Sequence, residues 1–90
     1  MSSTEHETQT TARTAIIELL SRIAPGSDLD AVAPDADLRA ELDLDSMDFL
    51  SFVVGLDERL GVAVPEEDYP RMFTMWGAVE YVSERLGSPR

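Results

Sequence analysis

Asp45-Ser46-Met47-Asp48-Phe49-Leu50-Ser51-Phe52-Val53-Val54-Gly55-Leu56-Asp57-Glu58-Arg59-Leu60-Gly61 is the stretch that decides the fold. Phe49, Phe52, Val53, Leu56 and Leu60 recur at steps of mostly three or four, the spacing of one face of an α-helix. Asp45 is a good N-cap. Asp48 stands three residues on, where a carboxylate can close a capping box, although glutamate or glutamine is the usual partner. Asp57, Glu58 and Arg59 gather towards the polar side, and Gly61 lies where a helix C-terminus favours glycine.

Downstream, Val62-Ala63-Val64-Pro65 forms a short apolar strap. Glu66, Glu67 and Asp68 follow the proline, which suits the first turn of a short helix. Pro70 limits that helix to about one or two turns. Thr74 then caps a last helix carrying Met75, Val79, Tyr81, Val82 and Leu86, which Gly87 and Pro89 stop. Upstream, residues 27–45 form a long connection, with Leu29, Val32, Leu38 and Leu42 as apolar anchors that pin it to the domain. A connection of this length is often functional. Ile16, Leu19, Leu20 and Ile23 mark a first helix from about Thr11, ended by Pro25 and Gly26. Residues 1–10 are polar and read as a flexible tail, with His6 inert within it. No strand and no internal repeat is visible. The expectation is an all-α single domain over residues 11–87: a small four-helix bundle with three longer helices and one short third helix.

Composition narrows the function. Ninety residues make one domain with a modest core, a poor setting for a deep catalytic cleft. Eighteen acidic residues against seven basic ones give a net charge of −11. That surface repels nucleic acid and anionic membranes and attracts partners with basic patches, more weakly as salt rises. All seven basic residues are arginine, so no lysine is available for amine catalysis. Without cysteine there is no disulfide, thiolate nucleophile or thiolate metal site. No apolar run approaches the ~20 residues of a membrane span, and nothing resembles a signal peptide. A cytoplasmic monomer that is not an enzyme is expected.

Ser46 is the residue of chemical interest. At the first helical position its hydroxyl faces solvent from a fixed backbone, beside amides that lack helical acceptors and at the positive end of the helix dipole. A phosphate ester there meets favourable partial charge, opposed by the acidic neighbours. As a nucleophile Ser46 lacks a base, since the one histidine is His6. It therefore reads as a substrate for another enzyme. Taken alone, an Asp-Ser pair in a first turn is more often just a small polar residue there.

The wider pattern resembles the acyl carrier protein family. Leu42-Asp43-Leu44-Asp45-Ser46-Met47-Asp48 is similar to that family's Leu-Gly-x-Asp-Ser-Leu-Asp signature. Residues 52–62 resemble its second helix and Phe-Gly-Ile exit. Pro65-Glu66-Glu67-Asp68 resembles its Ile-Pro-Asp-Glu-Asp turn, and Thr74 with Ala78-Val79-Glu80-Tyr81-Val82 its last helix. The match runs without a gap from about Leu38 to Leu86. The resemblance implies a four-helix bundle with a short third helix. It implies that Ser46, flanked by Asp45 and Met47, receives 4'-phosphopantetheine from coenzyme A through a phosphopantetheinyl transferase. Acyl groups would then ride the arm as thioesters between acyl-loading and synthase enzymes of fatty acid, polyketide or related biosynthesis. It further implies a docking face for basic partners, matched here by Asp45, Asp48, Asp57 and Glu58.

Asp43 replaces the family's glycine, Met47 its leucine and Ser51 a common docking-face glutamate, while Pro70 and Trp76 are unusual around the short third helix. Phe52, Leu56, Leu60, Met72, Trp76 and Val79 are first core candidates, and second the lining of an acyl cleft. Asp43, Asp45 and Asp48 fail the EF-hand template, because Met47 and Asp48 occupy its fifth and sixth positions, so no metal site is expected. Two rivals stand beside the acyl carrier. A peptidyl carrier more often has Gly-Gly before His/Asp-Ser and a less acidic face. An unmodified acidic adaptor would only bind a basic protein.

Overall fold

A computed structural model describes residues 2–87, with side chains from residue 7 onward. Four α-helices, α1 (Ser2–Ile23), α2 (Leu38–Glu41), α3 (Ser46–Leu60) and α4 (Met75–Gly87), are joined by two 3-10 segments, Leu29–Ala31 and Glu66–Met72. Among the described residues there is no strand. Asp37 and Thr74 form one isolated antiparallel bridge. The three long helices and the short Glu66–Met72 helix make the expected bundle, and α1 packs chiefly against α4 and α3.

The boundaries show where pattern reading runs short. Helix α1 runs back to Ser2, through the segment read as a flexible tail. The apolar face that marks a helix begins only at buried Ala12, so the preceding turns leave no periodic signal. The connection after α1 is not all loop. Leu29 opens a single 3-10 turn and Leu38 the single turn of α2, and both leucines are buried with Leu42. The short helix keeps to about two turns, as expected, but Pro70 lies inside its seven residues instead of beyond its end. A 3-10 segment bonds every third residue, and the Phe73 amide donates to the Pro70 carbonyl (3.3 Å). Pro89 lies outside the described residues.

The core is a single cluster. Ile16, Leu19 and Leu20 of α1 meet Phe49, Phe52, Val53 and Leu56 of α3 and Met75, Ala78, Tyr81 and Val82 of α4. Val62, Val64 and Met72 seal it from the strap side. Helix α3 is closed at both ends as its sequence requires: Asp45 and Asp48 form the capping box, and Gly61 takes the left-handed conformation at φ 70°. The Thr74 hydroxyl accepts from the Gly77 amide at 3.0 Å and caps α4. Trp76 departs from expectation. It is 66% exposed, because the inward stripe of α4 is set by Met75, Ala78, Tyr81 and Val82 and the residue after Met75 turns outward.

Helix α4 leans on the Glu66–Met72 helix through close backbone and a polar cluster. A Cβ on Gly77 would lie 2.3 Å from the Arg71 carbonyl oxygen. The buried Tyr81 hydroxyl donates to Asp68 at 2.8 Å and accepts from Arg85 at 2.7 Å. The guanidinium groups of Arg71 and Arg85 lie 4.7 and 4.5 Å from its ring centroid. Burial, then the Asp68 contact, raises the phenol pKa above its ordinary value of 10.0.

Two outcomes follow. Alanine normally favours a helix over glycine, but Gly77→Ala must displace backbone and should cost about 1–3 kcal/mol. A thermal melt should show that loss, while Gly55→Ala, which meets only the flexible end of Leu19, should change little. Because the folded state raises the Tyr81 pKa, its contribution is constant below about pH 10 and is lost as pH climbs through the folded value. Urea titrations from pH 8 to 11 should show stability falling at the alkaline end in the native chain and less so in Tyr81→Phe. That variant should itself lose about 1 kcal/mol at pH 8.

Candidate functional site

The path of the chain into α3 fixes Ser46. The Asp37 side chain caps α2, accepting from the Arg39 amide at 2.9 Å. Leu42 ends the turn and its amide donates to the Leu38 carbonyl at 2.9 Å. The chain then reverses at Asp43, whose φ of 54° is left-handed. The Leu44 amide closes the reversal on the Arg39 carbonyl at 2.8 Å. Asp45 follows in extended conformation, and its Oδ1 accepts from the Asp48 amide at 2.8 Å. In return, the Asp45 amide donates to the Asp48 Oδ2 at 3.3 Å. Because Asp45 takes the capping role, the Ser46 hydroxyl is not needed for it. Ser46 is exposed at the first residue of α3.

Beside Ser46 opens a groove of about 680 Å³ between α2, the start of α3 and the Glu66–Met72 helix. Arg39 and Ala40 form one wall, Ser46, Phe49 and Leu50 the second, and Tyr69 with Phe73 the third. The Phe49 ring meets those of Tyr69 and Phe73 edge to face, each at 5.3 Å between centroids. Over Phe73 lies the Arg39 guanidinium, 3.5 Å from the ring centroid. Asp37 holds it with two bonds, from Nε to Oδ1 at 3.1 Å and from Nη2 to Oδ2 at 2.8 Å. The same side-chain bond lowers the Asp37 pKa below its ordinary value.

The residues singled out from sequence are distributed unevenly around this site. Asp45 and Ser46 line the groove, and Met47 is 68% exposed beside them. Asp57 and Glu58 are exposed and Asp48 half-buried. At 100° per residue, Asp48 and Asp57 fall on opposite flanks of α3, so the four acids do not share one face. None of the six cleft candidates lines the groove. Phe52, Leu56 and Met72 are fully buried in the core, Leu60 and Val79 are half-buried, and Trp76 is exposed. Periodicity finds the stripe that faces the core, whereas a surface groove is made by residues at its margin. The aromatics Tyr69 and Phe73 flanking Pro70 were the available signal. Also missed were Leu50 and Val54, 42% and 45% exposed, which with Met47 place an apolar strip among the acids of α3.

Asp43 offers a direct check on this geometry. A left-handed backbone costs a side-chain-bearing residue about 1 kcal/mol, less for aspartate than for most. Asp43→Gly should raise stability by about 0.5 kcal/mol and Asp43→Val should lower it by more than 1 kcal/mol, both read by urea unfolding.

Comparison with known proteins agrees with this arrangement. Residues 13–70, which include the groove walls up to Tyr69 and the whole of α3, match the phosphopantetheine attachment site family. The acyl carrier protein of Kineococcus radiotolerans is 33% identical over 76 residues, covering 78% of this chain and 94% of that protein. That of Rubrobacter xylanophilus is 36% identical over 59 residues, 66% of this chain and 73% of its own. That of Lactobacillus johnsonii is 34% identical over 55 residues, 61% and 69% respectively. With this span of identity falling on a helical bundle of the expected form, the chain belongs to the acyl carrier protein family, and its prosthetic group is a covalently attached 4'-phosphopantetheine.

Proposed function

We propose that Ser46 is the attachment residue and that the protein carries acyl groups for fatty acid, polyketide or related biosynthesis without catalysing a reaction itself. The observation that carries this reading is an exposed serine at the first position of α3 whose neighbour Asp45 has already taken the cap. The residues fit a phosphate diester. The first-turn amides of α3 and the positive end of its dipole face the hydroxyl, while Asp45 and Met47 flank it without covering it. The arm supplies the thiol, and so the thioester linkage, that a cysteine-free chain lacks.

The partners are a phosphopantetheinyl transferase and the acyl-loading and synthase enzymes that share the carrier. The α3 surface suits such traffic. Met47, Leu50 and Val54 offer a small apolar centre; of the four acids, Asp57 and Glu58 lie beside it along the helix and Asp45 at its N-terminal end, while Asp48 falls on the far flank. Apolar contact of this size supports only weak binding, and the acids steer encounter with a basic patch. Weak and fast exchange is what delivery to successive enzymes needs. Among the described residues no helix is long and apolar enough to cross a membrane.

Intact-mass analysis after incubation with coenzyme A and a broad-specificity transferase should show the gain of one phosphopantetheine, absent from Ser46→Ala. A folded wild-type chain that gains nothing, or a gain that persists in Ser46→Ala, would overturn the assignment.

A further inference from the structure

We infer that the exposed indole of Trp76, with Asp35 and Glu80 beside it, is a docking point for an arginine presented by a protein partner, separate from the groove and from the α3 surface. The chain's own arginines supply the template. Arg39 lies over Phe73, 3.5 Å from the ring centroid, and is paired with Asp37. Arg85 and Arg71 lie 4.5 and 4.7 Å from the Tyr81 centroid and are paired with Asp68 and Glu84. Each time a guanidinium meets an aromatic ring and a carboxylate together. Arginine suits that arrangement, because its planar group stacks on a ring while its edge donates to a carboxylate.

The start of α4 presents the same ring and acids. Trp76 is 66% exposed, and indole is the best of the aromatic faces for a cation. Glu80 stands one turn along α4 on the same face. Asp35 directly follows Pro34, whose carbonyl accepts from the Trp76 amide at 3.0 Å. Both acids are exposed. Among the described residues no arginine lies over Trp76 and neither acid has an ion pair. The guanidinium that completes the trio therefore comes from outside the chain.

Charge selects the occupant. Residues 24–38 hold Asp28, Asp30, Asp35 and Asp37 and no basic residue. An apolar partner would strip water from those carboxylates without returning a counter-charge, and an acidic one would be repelled. A basic one is drawn in. The backbone that carries the indole is already fixed. Thr74 caps α4 through the Gly77 amide at 3.0 Å, and Met75 and Ala78 on either side of Trp76 are buried. Little order is therefore lost on docking. Tryptophan and arginine are also the residues that most often dominate the energy of protein contacts. Neither Trp76, Asp35 nor Glu80 lines the groove beside Ser46. An arginine bound here touches neither that groove nor the α3 strip, so one partner can hold the molecule at Trp76 while another works at α3.

The test is a nuclear magnetic resonance titration of the isotope-labelled full chain with a short blocked glycine–arginine peptide, at about 0.15 M salt to screen long-range attraction. A glycine–lysine peptide of equal charge runs in parallel. The Trp76 indole N–H and the amides of Asp35 and residues 76–80 should shift together. The peptide's arginine methylene protons should move upfield, the mark of stacking on a ring, and the lysine peptide should respond less. Trp76→Leu and Glu80→Gln change exposed positions, and thermal melts confirm that both variants fold. Each should raise the apparent dissociation constant by about twofold to fivefold, the span of one exposed cation–π contact. Asp57→Asn on α3 should leave it unchanged. Absence of shifts at Trp76, or shifts that are strongest at Asp57 and Glu58, overturns the docking point. So does binding that is undiminished in Trp76→Leu, which reduces it to general attraction towards an acidic chain. Equal responses to the two peptides overturn the choice of arginine.

Discussion

The backbone hydrogen bond from the Leu38 amide to the Phe73 carbonyl, 2.7 Å long, is the fastening on which the site depends. With the Asp37–Thr74 bridge beside it, it ties the middle of the long connection to the segment entering α4. A second tie, from the Trp76 amide to the Pro34 carbonyl at 3.0 Å, holds the connection on the other side. Only because α2 is held there can the reversal at Asp43 deliver Ser46 to the mouth of the groove. Phe73 serves twice: its carbonyl secures Leu38 and its ring supports Arg39. The hydrophobic anchors Leu29, Leu38 and Leu42 supply the burial that makes these polar ties favourable, since backbone bonds at a wet surface contribute little alone.

Charge follows the same economy. Among the described residues four arginines pair within the chain: Arg39 with Asp37, Arg59 with Glu18, Arg71 with Glu84 and Arg85 with Asp68. Each pair is partly exposed and worth at most about 1 kcal/mol. Their larger effect is on the field outside. With those positive groups bound to carboxylates of the same chain, and a net charge of −11, the molecule presents partners with a predominantly negative surface. The apolar strip of α3 sits within that field, so approach is guided by charge while contact is made by Met47, Leu50 and Val54.

What the sequence made legible was whatever repeats or caps. The stripe Phe49, Phe52, Val53 and Leu56, the Asp45–Asp48 box, the Gly61 terminus and the Thr74 cap are local rules, and each appears in the structure as read. The bundle followed from them. Illegible parts were those set by tertiary contact. The turns of α1 before Ala12 carry no apolar period. The 3-10 geometry that tolerates Pro70 differs from an α-helix by one residue in its bonding step. Trp76 was read first as a core candidate and second as cleft lining, although its neighbours Met75 and Ala78 had already claimed the inward side. The groove escaped notice because its walls come from three separate segments. No single stretch holds Arg39, Phe49, Tyr69 and Phe73 together, and only the folded ties between α2 and α4 do.

The outward Trp76 has a consequence for how this protein reports on itself. It is the chain's one tryptophan, and it stands in solvent on the far side of α4 from the core. Its intrinsic fluorescence therefore speaks for the outer surface at the start of α4, whose backbone is tied to Pro34. An optical signal from that indole changes less on melting of the interior than a buried one would, and it is well placed to register a partner arriving at the end of the molecule where the connection and α4 are tied together.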